Sequence, residues 1–221
     1  MIKILIFAAM LLAGCTSSGT KVPVAVYDLG LPPPQSSSAL SADTPDAPAS
    51  AAGLLVGSVL VAEAASPLWL DNQGIHYRLG YHDTTRLYAY ANSRWAAAPA
   101  TFISRRIKGL IASRSGTGVI GSQDGVPADY VLRIDLEEFS QVFDAPDRSR
   151  VIVRLRTSLI DRRTRSMLFQ QPFEGEQAAS TADAPGAVHA LAAVSDRLTG
   201  QVVDWVARKL VDEKTRKKTD Q

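Results

Sequence analysis

Cysteine and histidine are scarce: Cys15 is the single cysteine in 221 residues, and there are three histidines. One thiol excludes an intrachain disulfide, so the fold has to hold by packing. His76 and His82 fall around one strand pattern and the loop after it, and His189 falls on a late helix pattern. No cysteine or carboxylate cluster at metal-ligand spacing accompanies them, so they read as surface or edge histidines. Charge of one sign is also missing. Lys and Arg number 24 against 22 Asp and Glu, a net +2, which removes any bulk pull toward nucleic acid. No apolar run reaches the roughly 20 residues that span a bilayer. The best late candidate, Ala51 to Ala62, is stopped by Glu63. Neither a Walker lysine motif nor a Gly-x-Ser-x-Gly elbow occurs. Gly116-x-Gly118-x-x-Gly121 has the letters of a dinucleotide fingerprint, but it follows a helix pattern and leads through Pro127 into a strand pattern. It reads as a loop. These absences point away from an enzyme and from any cofactor or metal.

What is present is concentrated at the start. Lys3 precedes an apolar run from Ile4 to Leu12, then Leu12-Ala13-Gly14-Cys15. A charged start, a short hydrophobic segment and small residues at a cut site make a secretory signal. The cysteine after the cut resembles the lipobox of bacterial lipoproteins, whose thiol takes a diacylglycerol and whose new amino group is acylated, typically with palmitate. The resemblance implies lipidation at Cys15. Each buried methylene adds about 0.8 kcal/mol, so several chains anchor firmly. Thr16 carries no inner-membrane retention signal of the aspartate kind, which implies the outer membrane, on its periplasmic face. Residues 1–14 are then the signal peptide, and 15–26 the anchor and spacer.

The rest of the chain is expected to be one domain over 27–210 and a frayed, charged tail over 211–221. Val22 to Leu31 suits a first strand. Residues 32–52, opened by Pro32-Pro33-Pro34 and rich in Ser, Ala and Pro, have too few large apolar side chains to offset their ordering entropy, which predicts a flexible loop. Gly53 to Ala62 is a continuous apolar run fit for a central buried strand. Leu68 to Leu79 reads as strand, turn, strand, and Thr85 to Trp95 as another strand. From Pro99, Ile103, Ile107, Leu110 and Ile111 recur at helical spacing. Asp129 to Phe139, Arg150 to Ile160 and Ser166 to Phe173 alternate as three half-buried strands, the last with Met167, Phe169 and Phe173 on one side. A final helix, about Pro185 to Leu210, carries Leu191, Val194, Leu198, Val202 and Trp205 on one stripe. Strands, helix, strands, helix predict an α+β two-layer domain, two helices on one face of a largely antiparallel sheet.

Polar clusters read as solvated faces. Asp135, Glu137 and Glu138 share a strand; Asp135 and Glu137 alternate with its core residues. Arg154, Arg156, Arg162, Arg163 and Arg165 form a basic strip that could meet an acidic partner or lipid headgroups. Trp69, Trp95 and Trp205 suit core or edge packing.

Several short motifs in order, Tyr27-Asp28-Leu29-Gly30-Leu31-Pro32-Pro33, Leu70 to Arg78, Ser93 to Pro99, Asp129-Tyr130-Val131-Leu132 with Phe139, and the Trp205 helix, resemble the ABC-type transport auxiliary lipoprotein family. The resemblance runs from about Tyr27 to Leu210. It implies a docking role beside an MCE-domain periplasmic protein, an ABC permease and an ATPase that move lipid or other hydrophobic compounds between membranes. The competing expectations are a structural lipoprotein of envelope assembly and a lipid-anchored hydrolase. The sequence leaves cargo and homo-oligomerisation open.

Overall fold

A computed structural model describes residues 23–31, 55, 57–114 and 127–219. The fold is built around three long strands: β5 (Tyr130–Ala145), β6 (Arg148–Asp161) and β7 (Ser166–Ala178). Alternation sends Leu132, Ile134 and Leu136 of β5 and Val151, Val153 and Leu155 of β6 to one face, where all are buried. Antiparallel ladders join β5 to β6 and β6 to β7. The parity of the pattern breaks between Leu136 and Phe139. A bulge at Glu137 absorbs the extra residue and returns Phe139 to the core.

Four further strands complete one seven-stranded sheet: β1 (Ala25–Tyr27), β2 (Val59–Val61), β3 (Gly74–Leu79) and β4 (Asp83–Trp95), in the order β1-β4-β3-β5-β6-β7, with β2 also on β5. β3 and β4 form an antiparallel hairpin. The pairings β1–β4, β2–β5 and β3–β5 are parallel and short. The sheet is thus mixed, with the long ladders antiparallel.

Helices α1 (Pro99–Arg114) and α2 (Ala184–Thr219) cover the apolar face. Ile103, Ile107 and Ile111 of α1 and Leu191, Val194, Leu198, Val202 and Trp205 of α2 join the same core cluster as the strand residues. The architecture is the expected α+β one. The helices run parallel to each other, since Arg106 pairs with Asp196 and Arg114 with Asp204, eight residues on in both. Asp183 caps α2, accepting from Gly186 N at 2.9 Å and Thr181 Oγ1 at 2.6 Å. A Cβ at Gly186 would lie 2.2 Å from the Thr181 carbonyl, so the cap requires glycine.

Four expectations need correction. Among the described residues of the Gly53–Ala62 run, Val59–Val61 is the strand, and it is not central. β6 takes one edge of β5, so β2 and β3 share the other end to end. The stretch Leu68 to Asp71 is a turn: the Pro67 carbonyl accepts from Leu70 N and Asp71 N at 2.8 and 3.0 Å, which drops Leu70 into the core. Met167 leaves the Phe169–Phe173 side and is 59% exposed, because Leu159 pairs Phe169 whereas Ile160 pairs Met167, and the bulge between them flips the face. The expected frayed tail is helical to Thr219. Glu213 is buried and engages Arg216 and Lys217, and Lys217 also reaches Asp161. Cys15, the signal segment, the 32–52 loop and the Gly116–Gly121 motif lie outside the described residues.

Candidate functional site

The residues singled out for chemistry do not converge. His82 is exposed in the β3–β4 turn and His189 is exposed on α2. His76 is buried edge-on against Trp69, 5.8 Å between ring centroids, with Nδ1 unpartnered. Burial lowers the pKa of His76; Arg78 adds to that and Glu138 opposes it. Among the described residues no group of three His, Cys, Asp or Glu could hold a metal ion, and no helix is long and apolar enough to cross a membrane. Trp95 packs against Phe102 and Phe139, and Trp205 against Phe173. Trp69 also lies under the Arg78 guanidinium, 5.6 Å from it.

The carboxylates of β5 and the arginines of β6 meet across the ladder. Arg156 pairs with Glu137, and Arg154 Nε donates to Glu174 Oε1 at 2.8 Å. Arg150 engages Asp144 and, at 3.1 Å, Glu176. Arg150, Arg154 and Arg156 are therefore neutralised on the sheet. The remaining arginines of the strip sit past the end of β6, in the turn to β7, and their surroundings differ.

That turn is organised by Asp161. Its Oδ1 accepts from Arg163 N at 2.9 Å and Thr164 N at 3.0 Å, and its Oδ2 accepts from Lys217 Nζ at 2.9 Å. These bonds, the Thr164 amide foremost, hold its pKa down to about 2. The bond to Asp161 in turn raises the pKa of Lys217. Arg165 takes the left-handed conformation, φ 57°, and closes the turn. Arg162, Arg163 and Arg165 are exposed there, beside exposed Lys214, Arg216 and Lys218 at the end of α2. A cleft of about 310 Å³ opens beside Arg162 and Arg163, lined also by Asp129, Tyr130, Asp161 and Lys217. The two acids in it are already engaged, Asp129 by the amide and hydroxyl of Ser58 and Asp161 as above. The result is a positively charged pole on a fixed frame.

A second feature escaped the residue pattern. Arg106 bonds Asp196, the Leu29 carbonyl and, at 3.1 Å, the Gly30 carbonyl. Burial raises the pKa of Asp196, and the Arg106 charge opposes that rise. Gly30 is in the left-handed region, φ 70°, with its amide on Asp28 Oδ1 at 2.7 Å. The Tyr27–Gly30 motif is thus the latch that fastens the N-terminal strand to both helices. A groove of about 470 Å³ runs beside it, between Val26 to Gly30 and Val188 to Ala192. The single signal in the sequence was the motif itself; backbone carbonyl acceptors leave no residue pattern.

A search of the curated proteins finds no match. Among solved structures, a protein from Xanthomonas campestris is similar at 15% identity and TM-score 0.67, covering 75% of this chain and 92% of that one. An uncharacterised protein is similar at 14% identity and TM-score 0.57, covering 83% of this chain and 99% of that one. Both likenesses concern the fold. The model of the ABC-type transport auxiliary lipoprotein component family matches residues 36–203, so the Tyr27–Pro33 motif and Trp205 fall outside the matched span and the motifs from Leu70 to Phe139 inside it. With most of its length matched, the chain belongs to the family of ABC-type transport auxiliary lipoprotein components.

Proposed function

We propose that the protein is a non-enzymatic docking subunit, lipid-anchored through Cys15 at the periplasmic face of the outer membrane, for an MCE/ABC-type system that transports lipid or another hydrophobic compound. Family membership over residues 36–203 is the observation that carries this reading. The domain supports it: a rigid sheet-and-helix body, an N-terminal strand latched by Arg106, and a charged pole suited to binding. The histidines and carboxylates are dispersed or paired, which favours recognition over catalysis.

Crosslinking of the tagged protein in intact envelopes, followed by mass spectrometry, tests the reading. Recovery of an MCE-domain protein is the expected result. Recovery of assembly factors alone would replace it with a structural envelope role. The anchor is tested separately: Cys15→Ala is expected to leave an uncleaved or mislocalised precursor, and a normally acylated, correctly sorted variant would overturn that part.

A further inference from the structure

We propose that Arg162, Arg163 and Arg165, with Lys214 and Lys218, form the membrane-distal docking surface of this chain, and that the surface fits an acidic patch on a partner protein. The inference rests on the anchored docking role above and supplies the face on which docking occurs.

Charge is the first argument. Among the described residues, none of these five cations has an ion-pair partner, whereas Arg150, Arg154 and Arg156 of β6 are paired. Asp161 and Glu213 are buried, 3% and 1% exposed, and engaged, and the exposed Asp129 accepts from Ser58. In the turn and at the end of α2, the exposed charges without an ion-pair partner are cationic. Asp161 fixes the turn through two backbone amides, so little freedom is lost when a partner binds. Unpaired exposed charges of one sign raise association rates with an oppositely charged surface and make them salt-dependent.

Strand direction is the second argument, and it separates a protein partner from the membrane. β1 is parallel to β4, β4 is antiparallel to β3, and β3 is parallel to β5. β1 therefore runs opposite to β5. β5 begins beside the basic pole, where Tyr130 pairs Asp161, and ends at the hairpin where Ala145 pairs Arg148. A chain arriving at Ala25 comes from the hairpin side, and β1 lies level with the middle of β5, since Val26 pairs Arg94, Arg94 pairs Gly74, and Gly74 precedes by three residues the Tyr77 that pairs Gln141. Arg106 holds the strand there. At about 3.3 Å per residue, the sixteen residues of β5 separate the two ends by roughly 50 Å. The cations lie at the end of β5 toward which β1 runs, opposite to the side from which Ala25 is reached.

The test uses the full lipoprotein in its own cells, with a benzophenone amino acid at Arg163 or Lys218 on the pole, or at Tyr81 or Asp147 near the hairpin. All four positions are exposed. Adducts from Arg163 and Lys218, mapped to a carboxylate-rich segment of the MCE-domain protein, are expected. Adducts to that protein from Tyr81 and Asp147 only would overturn the inference and leave the docking role standing. Phospholipid adducts from the pole would overturn it in favour of a membrane contact. Absence of the MCE-domain protein from all four positions would overturn the docking role and this inference together. Independently, combining Arg162→Glu, Arg163→Glu and Arg165→Glu should weaken binding to the purified MCE-domain protein at least tenfold and flatten its salt dependence, with an unchanged melting temperature. Unaltered affinity in that variant would also overturn the inference.

Discussion

Arg150, Arg154 and Arg156 lie in a strand; Arg162, Arg163 and Arg165 lie in the turn a few residues on. In sequence all of these but Arg150 read as one basic strip. In the structure the first group faces Glu137, Asp144, Glu174 and Glu176 on neighbouring strands, and the second faces solvent. A strand places each side chain opposite a partner at fixed spacing, so a charge on it is readily matched. A turn has no ladder neighbours. Asp161 stands at the boundary, its carboxylate spent on the turn's amides and on Lys217 and so withheld from the guanidinium groups. Similar residues thus serve cohesion in one place and recognition in the other.

The comparison can be broken most severely from beneath. Leu198→Asp puts an unpaired charge in the core that holds both groups in place, at a cost of about 4 kcal/mol or more. That is a large share of a domain's stability, and thermal unfolding should shift down by more than ten degrees or lose cooperativity. An unchanged melting temperature would show that this face of α2 does not pack on the sheet.

Asp161→Ala comes next. Three charge-assisted bonds vanish and the turn loses its frame, so a loss of about 3 kcal/mol is expected in urea melts. The Lys217 contact goes with it, and hydrogen exchange should quicken in the last turns of α2. A loss under about 0.5 kcal/mol would mean the turn is held by other contacts.

Acid probes the same carboxylate without mutation. Its folded pKa, about 2, lies below the ordinary aspartate value of about 3.9. Its contribution is therefore complete above about pH 4 and is lost as pH falls toward 2. Wild type should lose stability across that window, and Asp161→Ala should lose less; parallel curves would reject this assignment.

Smaller effects separate the two arginine groups. Arg154→Ala breaks one exposed pair with Glu174 and should cost at most about 1 kcal/mol, less in high salt. Arg162→Ala and Arg163→Ala break no ion pair, and their melting temperatures should match wild type. If the turn variants were the less stable, the division between cohesive and recognition arginines would be wrong.

Much of this fold was legible because periodicity reports burial. Period two in Leu132, Ile134 and Leu136, and in Val151, Val153 and Leu155, marked the sheet face. The spacing of Ile103, Ile107 and Ile111, and of Leu191 to Trp205, marked the helix faces. Direction and pairing were not legible. The Gly53–Ala62 run carries no sign that three of its residues pair in parallel beside β3, and a bulge that exposes Met167 leaves the composition unchanged. The tail looked frayed because its residues are charged; what orders it is Asp161, more than fifty positions away.

The sequence by itself determined the α+β class, the core faces, the family motifs and the expectation of lipidation at Cys15, because these depend on local spacing and residue chemistry. Tertiary structure decided which charges are cancelled, that Arg106 latches the Tyr27–Gly30 motif, and that the cationic turn lies at the end of β5 opposite the hairpin. Those facts depend on partners far apart in the chain, and a distance in space between such partners cannot be read from their separation in sequence.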